Sequence, residues 1–214
     1  MTWDAILFDL DGTLWDATHI TAKIWPGVLA NHPEIHKTID LETVQGYMGH
    51  SNEERAALLF PELPFEAGYA LMMEACEMEN LLLSREGGKI FDGLFPTLET
   101  LAEGFPLGII SNCQSGYIEV FLAFHKAGHL FRDFICSGDT HREKWENIRT
   151  LCDRQGYKNP VYIGDTRWDA AAAGKAGIDF LWAAYGFGSD VPEEMYCGRL
   201  DRPADILKYT QIQE

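Results

Sequence analysis

The chain has 214 residues, which suits one large domain or a core with a modest second domain. Hydrophobic residues make up 46% of it and charged residues 23%, so extended disorder is excluded. Seventeen basic residues against 33 acidic ones give a formal net charge of −16. Because such an acidic protein repels phosphate backbones and anionic lipids, we expect neither nucleic acid nor a membrane surface as its partner.

The sequence carries no sign of secretion. The first apolar run, residues 5–8, ends at Asp9 with no basic segment before it, and no apolar stretch reaches the ~18–20 residues that cross a bilayer. The five cysteines are odd in number and widely spaced, which argues against a disulfide framework. We therefore expect a cytoplasmic protein with reduced thiols.

Short apolar runs alternate with helical patterns along most of the chain. The predicted strands are residues 4–9, 105–110, 133–136, 160–164 and 179–183. The predicted helices between and after them are residues 94–103, 115–126, 143–155, 168–176 and 203–209. This alternation predicts an α/β fold with a doubly wound, parallel, Rossmann-like sheet.

Residues 17–88 interrupt the alternation, because they show helical patterns and no convincing strand. Ser51 and Glu54 are spaced to form a capping box, and residues 65–83 predict a long helix. Gly87-Gly88 ends the segment like a hinge. We predict an all-helical insertion at residues 17–88 in a core made of residues 1–16 and 89–214.

Aspartates follow two of the predicted strands. Asp9 and Asp11 end the first strand, where open α/β sheets bind ligands, and a plain Asp-Gly turn is the alternative explanation. Asp165 ends the strand at 160–164, and Asp169 lies one helical turn later, where it could simply start a helix. A calcium loop is excluded, because Gly12 is fourth rather than sixth in the motif.

If these strands are neighbours, their carboxylates converge and repel one another. Two unit charges 4 Å apart cost roughly 4 kcal/mol at an effective dielectric of 20, so a counter-ion is needed. Oxygen ligands of this kind suit Mg²⁺, which also binds substrate phosphate. The sequence therefore predicts a magnesium ion and a phosphoryl group at this site.

Two weaker signals could supply the phosphate contacts. Ser111 and Asn112 follow the strand at 105–110 just before a helix, where free backbone N–H groups can hold a phosphate. Lys144 lies near the start of the helix predicted at 143–155 and could neutralise the acids and the phosphate. Taken alone, a Ser-Asn pair after a strand is more often a turn or helix cap, and a lysine is more often a surface residue.

Together, Asp9-Leu10-Asp11-Gly12-Thr13, Ser111-Asn112, Lys144 and Gly164-Asp165-Thr166 with Asp169 resemble the four ordered motifs of the haloacid dehalogenase superfamily. The helical insertion resembles the C1 cap of its phosphoglycolate-phosphatase-like branch. The resemblance covers essentially the whole chain. One departure is Trp145, which follows Lys144 where many relatives have proline.

The resemblance implies a mechanism. Asp9 would be the nucleophile that forms an aspartyl-phosphate, and Asp11 the general acid and then the base. Asp9, the backbone carbonyl of Asp11, and Asp165 would hold Mg²⁺, with Asp169 a direct or water-bridged ligand. The remaining groups would bind the phosphoryl oxygens of a small phosphorylated metabolite: Ser111, Asn112 and Lys144.

Other functions are weighed against this one. A signalling receiver domain is disfavoured, because its phosphorylated aspartate lies mid-chain and it has no helical insertion. Sugar phosphomutases of this branch carry histidine where Thr21 stands and arginine where Asn52 stands, which counts against a mutase. A catalytically retired binding protein on the same fold stays open. His50 could contact substrate, but an exposed loop histidine with no such role is the preferred explanation, and Cys113 is expected to be a buried, inert thiol.

Overall fold

The computed structural model of the protein describes residues 3–210. In chain order its strands are β1 (Ala5–Phe8), β2 (Trp15–Asp16), β3 (Lys89–Ile90), β4 (Leu107–Ser111), β5 (Phe131–Cys136), β6 (Pro160–Gly164), β7 (Asp179–Ala183) and β8 (Gly198–Leu200). Its α-helices are α1 (Thr18–Ala30), α2 (Leu41–Gly46), α3 (Asn52–Leu59), α4 (Phe65–Glu86), α5 (Leu94–Gly104), α6 (Tyr117–Phe124), α7 (Ser137–Thr140), α8 (Lys144–Gln155), α9 (Arg167–Ala176) and α10 (Leu207–Thr210).

Six strands form a parallel sheet in the order β5-β4-β1-β6-β7-β8. The predicted fold class is therefore confirmed. Two predicted strands, 160–164 and 179–183, have the predicted bounds, and the other three are found with shifts of one or two residues. Sequence patterns missed β8, because it is three residues long and only Leu200 in it is buried. The helix predicted at 203–209 is instead a 3₁₀ turn at Pro203–Ile206 followed by α10.

Alternate residues of β1 supply two apolar layers, one on each face of the sheet. Ile6 and Phe8 pack in the layer that contains side chains of α5 and α6. Leu7 packs on the opposite face, in the layer that contains side chains of α8 and α9. Because β1 is buried on both faces, its sequence is a continuous apolar run, as expected for a strand in the interior of a parallel sheet.

Helices α1–α4 lie between β2 and β3 and form the helical cap, the name used below for residues 18–86. The cap has its own apolar core, which includes Trp25, Phe60 and Met72. The predicted capping box starts α3: the Glu54 N–H donates to Ser51 Oγ over 3.2 Å, and the Ser51 N–H donates to Glu54 Oε2 over 2.9 Å.

The chain passes between core and cap through a short antiparallel ribbon. Trp15 pairs with Ile90 and Asp16 with Lys89, so the outgoing and returning segments lie side by side. Asp16 Oδ1 also accepts the backbone N–H of Thr18 over 2.9 Å at the start of α1. The predicted domain boundaries at residues 17 and 88 fall beside this ribbon and stay a prediction. Among residues 3–210, no helix is long and apolar enough to cross a membrane.

Candidate active site

Three adjacent parallel strands bring polar side chains to one edge of the sheet. β1 pairs with β4 on one side and β6 on the other, with Phe8 opposite both Ile109 and Ile163. Asp9 therefore follows β1 between the end of β4, at Ser111, and the residue after β6, Asp165. Asp9 and Asp165, 156 positions apart in sequence, meet because parallel strands end at the same edge.

A buried lysine joins two of the aspartates. Lys144 Nζ lies 2.8 Å from Asp9 Oδ1 and 2.6 Å from Asp169 Oδ1, and its side chain is only 5% exposed. The lysine is the first residue of α8, so the start of that helix aims it at the sheet edge. Of all the predicted site residues, it had the weakest sequence signal, yet the structure places it between the acids.

Asp169 has both carboxylate oxygens occupied. Oδ1 accepts from Lys144, and Oδ2 accepts the Thr166 hydroxyl over 2.6 Å and the Thr166 N–H over 3.0 Å. The residue thus forms the capping box of α9 and lines the acidic site at once. The helix-start explanation is therefore seen in the structure, and a role of Asp169 in metal binding stays a prediction.

Asp165 is held on one side only. Its Oδ2 accepts the backbone N–H of Phe187 over 2.7 Å, whereas its buried Oδ1 has no hydrogen-bond partner within the described chain. Two glycines permit this close approach. A Cβ at Gly186 would collide with the Gly12 carbonyl, and a Cβ at Gly12, whose φ is +80°, would collide with the Asp165 side chain. Phe187 was not singled out from the sequence, yet its backbone N–H orients Asp165.

Burial and mutual repulsion raise the pKa of two of these acids, Asp9 and Asp165. Burial raises the pKa of Asp9 to about 6, although Lys144 opposes the rise. Burial, Asp169 and Asp9 raise the pKa of Asp165 well above its ordinary value. Burial alone would lower the pKa of Lys144, but the neighbouring carboxylates outweigh it and keep the ammonium charged.

The three aspartates fit a bound cation. Asp9, Asp165 and Asp169 each offer an oxygen, and these oxygens lie within 4.8 Å of one another. The unpartnered Asp165 Oδ1 is a buried oxygen for which a cation is the natural partner. Hard carboxylate oxygens in this arrangement could hold a divalent metal ion.

Asp11 faces different partners. Its Oδ1 accepts the Trp15 Nε1–H over 2.9 Å and the Tyr117 hydroxyl over 2.8 Å. Burial raises the pKa of Asp11 to about 7, and the positive charge of Arg55 opposes that rise. A carboxyl group that titrates near neutral pH is suited to donate and accept protons. Neither Trp15 nor Tyr117 had a sequence signal that singled it out.

The remaining predicted residues lie at the junction of core and cap. Ser111 is buried at the end of β4, and its Oγ accepts the Cys113 N–H over 3.3 Å. The Asn112 side chain donates to the Gly49 carbonyl of the cap over 3.1 Å and accepts from the Ser137 hydroxyl. Cys113 is buried, as expected, and burial raises its pKa.

His50 differs from its prediction. It is half-buried rather than exposed, because its ring packs edge-on against Trp168 of the core, with centroids 5.5 Å apart. Together with the Asn112 contact, this pair fastens the loop after α2 over the site.

A family model for haloacid dehalogenase-like hydrolases matches residues 6–183 of the chain. A phosphoglycolate phosphatase from Aliivibrio fischeri is 28% identical over 200 residues, which cover 87% of this chain and 86% of the relative. Phosphoglycolate phosphatase 1 from Pseudomonas aeruginosa is 27% identical over 94% of this chain and 78% of the relative.

Solved structures share the fold. A crystal structure of a predicted phosphoglycolate phosphatase from Haemophilus somnus superposes with a TM-score of 0.83, at 22% identity and 99% coverage of both chains. A haloacid dehalogenase-like hydrolase from Streptococcus pneumoniae gives 0.81, at 23% identity, with 98% of this chain and 99% of that one covered.

The chain belongs to the haloacid dehalogenase-like hydrolase family. The resemblance to its phosphoglycolate-phosphatase-like branch, and the expectation of a hydrolytic enzyme, are confirmed.

Proposed function

We propose that the protein is a Mg²⁺-dependent phosphatase that hydrolyses a small phosphomonoester through an aspartyl-phosphate on Asp9. The observation that carries the proposal is the clamp of Lys144 on Asp9 and Asp169 beside the half-partnered Asp165. It supports a site that binds a metal and a phosphoryl group together. The names of the curated relatives support phosphate-ester chemistry.

In the first step, a carboxylate oxygen of Asp9 attacks phosphorus, and the bond from phosphorus to the leaving oxygen breaks. Asp11 gives its proton to that oxygen. Because Asp11 Oδ1 already accepts from Trp15 and Tyr117, the proton is carried on Oδ2. A pKa of about 7 allows a useful share of protonated Asp11 at neutral pH.

In the second step, Asp11 returns as a base. It takes a proton from water, the water oxygen attacks phosphorus, and the bond to Asp9 breaks, which releases phosphate and restores the carboxylate. Lys144, the Ser111 hydroxyl and the Asn112 N–H hold the phosphoryl oxygens in both steps.

Asp9, Asp165 and the backbone carbonyl of Asp11 would hold Mg²⁺, with Asp169 bound directly or through water. When bound, the ion neutralises negative charge on the phosphoryl oxygens. Lys144 already satisfies one oxygen of Asp9 and one of Asp169, whereas Asp165 Oδ1 is unpartnered. Asp165 is therefore the ligand that the fold leaves most ready for the cation.

The ribbon of β2 and β3 is the proposed hinge of the cap. Opening there would admit substrate, and closure would exclude bulk water. In the present arrangement the cap is docked, since Asn112 of the core donates to Gly49 of the cap. The cytoplasm is the proposed location.

The test is phosphate release from a panel of small phosphomonoesters. Asp9→Asn should lower kcat by about 10³-fold or more, because it removes the nucleophile. Asp92→Asn, an exposed aspartate of the core, is the matched control and should keep wild-type activity. Equal activity of the wild type and the Asp9 variant would overturn the proposal. Stoichiometric phosphate binding without turnover would favour a retired binding protein.

A further inference from the structure

Three polar side chains connect helix α8 to the cap through hydrogen bonds. Asn147 is fully buried on α8, one turn after Lys144. Its Nδ2 donates to Ser137 Oγ over 3.4 Å, and the Ser137 hydroxyl donates to Asn112 Oδ1 over 3.1 Å. The Asn112 Nδ2 in turn donates to the Gly49 carbonyl of the cap over 3.1 Å. Asn147, Ser137 and Asn112 are called the polar bridge below.

The direction of each hydrogen bond in the polar bridge is fixed from its buried end. Asn147 Oδ1 accepts the Thr140 hydroxyl over 2.8 Å, so the amide nitrogen of Asn147 is the group that faces Ser137. Since Ser137 Oγ accepts there, its own proton is donated to Asn112 Oδ1. The amide nitrogen of Asn112 is thereby directed at the cap. A reversed Asn112 amide would set its oxygen against the Gly49 carbonyl, and two acceptors form no hydrogen bond.

The turn that carries Ser137 is packed closely against the loop after β4. The Gly138 N–H donates to the Cys113 carbonyl over 3.0 Å. A Cβ at Gly138 would collide with the Ser115 backbone nitrogen, so this close contact needs glycine. Backbone contacts therefore hold the Ser137 hydroxyl at a fixed place beside Asn112.

The cap end of the polar bridge is the loop after α2, residues 47–51, called the cap loop below. Gly49 of this loop lines a cleft of about 660 Å³ between cap and core, which Asn112 and Lys144 also line. A Cβ at Gly49, whose φ is +84°, would lie 3.2 Å from the Thr166 side chain. The cap loop is therefore seated closely on the core, and the polar bridge supplies a directed hydrogen bond at that seat.

We propose that Ser137 and Asn147 are positioning residues for the reaction, which orient the Asn112 side chain so that it holds the cap loop over a bound phosphoryl group. The inference rests on the proposed phosphatase function, in which the Asn112 backbone N–H holds a phosphoryl oxygen. One residue then contacts the phosphoryl group through its backbone and the cap through its side chain. Phosphoryl binding and cap closure therefore favour each other, because both need Asn112 in the same place.

Steady-state kinetics with p-nitrophenyl phosphate test the polar bridge. Ser137→Ala frees the Asn112 amide to rotate, so the closed cap is less populated before substrate binds. KM should rise about 3- to 10-fold, the range expected for one hydrogen bond, while kcat stays within about twofold. Ser137→Thr keeps the hydroxyl and should keep KM close to that of the wild type. The matched control is Ser84→Ala, an exposed cap serine whose hydroxyl donates to the Leu81 carbonyl, and it should leave KM unchanged.

Two further variants locate the effect within the polar bridge. Asn112→Ala removes the side chain and keeps the backbone N–H, and adding Ser137→Ala to it should raise KM no further, because Ser137 acts through Asn112. Thr140→Val removes the hydroxyl that orients Asn147 and should raise KM by a smaller factor. Additive effects of the two alanine changes would overturn the proposal. The same holds for a wild-type KM in either Ser137→Ala or Thr140→Val, and for a fall in kcat with KM unchanged.

Hydrogen exchange separates cap closure from catalysis. Inorganic phosphate with Mg²⁺ should slow amide exchange in the cap loop of the wild type, and Ser137→Ala should lose most of that protection. No protection in the wild type, or equal protection in both proteins, would overturn the proposal. Hydrolysis of p-nitrophenyl phosphate that depends on Asp9 keeps the phosphatase function intact even if the polar bridge has no such role. If neither that ester nor the panel is hydrolysed, the phosphatase function itself fails.

Discussion

The two sides of the cleft differ in how their charges are matched. On the core side, Lys144 lies 2.8 Å from Asp9 and 2.6 Å from Asp169, so one buried cation serves two acids. On the cap side, the buried guanidinium of Arg55 has no ion pair within residues 3–210. The core side is thus charge-matched by direct ion pairs, whereas the cap side has a buried cation without one.

This difference suggests that the core side acts on the phosphoryl group and the cap side contacts the leaving group. Every phosphomonoester presents the same phosphoryl group, so a fixed set of groups can be held ready for it by the sheet edge. Leaving groups vary, and the cap carries the side chains that would meet them. Changes in the core should therefore lower turnover of all substrates, while changes in the cap should alter the ranking among them.

The largest effect is expected for Lys144→Met. It leaves Asp9 and Asp169 buried without their cation, so unfolding free energy should fall by about 3–5 kcal/mol and activity should fall on every substrate. The matched control is Lys175→Met, because Lys175 pairs with Glu143 at the surface, 3.0 Å away, and should contribute about 1 kcal/mol or less. Chemical denaturation measures both. Equal losses for the two variants would contradict the contrast between a buried and a surface lysine.

The next effect is a pH dependence of stability without metal. Burial raises the pKa of Asp9 from 3.8 to about 6 and that of Asp11 to about 7. Between about pH 4 and pH 7 the unfolded chain loses these protons while the folded chain keeps them. Stability should therefore fall as the pH rises through this window. The Asp9→Asn/Asp11→Asn double variant should show a weaker fall, and an identical slope would contradict the assignment.

Magnesium should oppose that fall. At 100 times its dissociation constant, Mg²⁺ should add ~2.7 kcal/mol to the unfolding free energy of the wild type. Asp165→Asn should lose most of this gain, because Asp165 Oδ1 is the unpartnered oxygen. If the melting temperature of the wild type is the same with and without Mg²⁺, metal binding by the free protein is contradicted.

The smallest effect is expected for Tyr117→Phe. One of the two hydrogen bonds to Asp11 Oδ1 is lost, which should lower kcat about tenfold on alkyl phosphates, whose leaving groups need a proton. The loss should be smaller on p-nitrophenyl phosphate, whose leaving group needs none. Tyr209→Phe, which removes the hydroxyl of a half-buried tyrosine that donates to the Arg199 carbonyl, is the control. Equal losses on both esters would mean that Tyr117 has no part in orienting the acid.

The residues on the core side of the cleft could be predicted from the sequence alone. Strand ends, aspartate spacing and a helix-initiating lysine are local patterns, and parallel strand order then brings Asp9, Asp165 and Lys144 together. Asp165 directly follows an apolar run and a glycine, and this local pattern predicts a strand-end aspartate even when its spatial neighbours are unknown. The fold class followed for the same reason, since each buried strand is a short apolar run.

The polar residues on the cap side, and the aromatic residues that contact Asp11, could not be predicted from local sequence patterns. Arg55 stands in a polar stretch of α3 and resembles a surface arginine until α4 and the core cover it. Tyr117 and Trp15 look like ordinary core aromatics, and only the packing of α6 against β2 turns their polar atoms toward Asp11. β8 and the β2–β3 ribbon are too short for a periodic pattern.

The covalent role of Asp9 can be tested with the Asp11→Asn variant and p-nitrophenyl phosphate. This leaving group needs no acid, but breakdown of the phosphoenzyme still needs the base. We expect a rapid release of about one equivalent of p-nitrophenol per active site, followed by slow turnover, with phosphate bound to the peptide that carries Asp9. Phosphate on another residue, or steady turnover with no covalent phosphate, would contradict it.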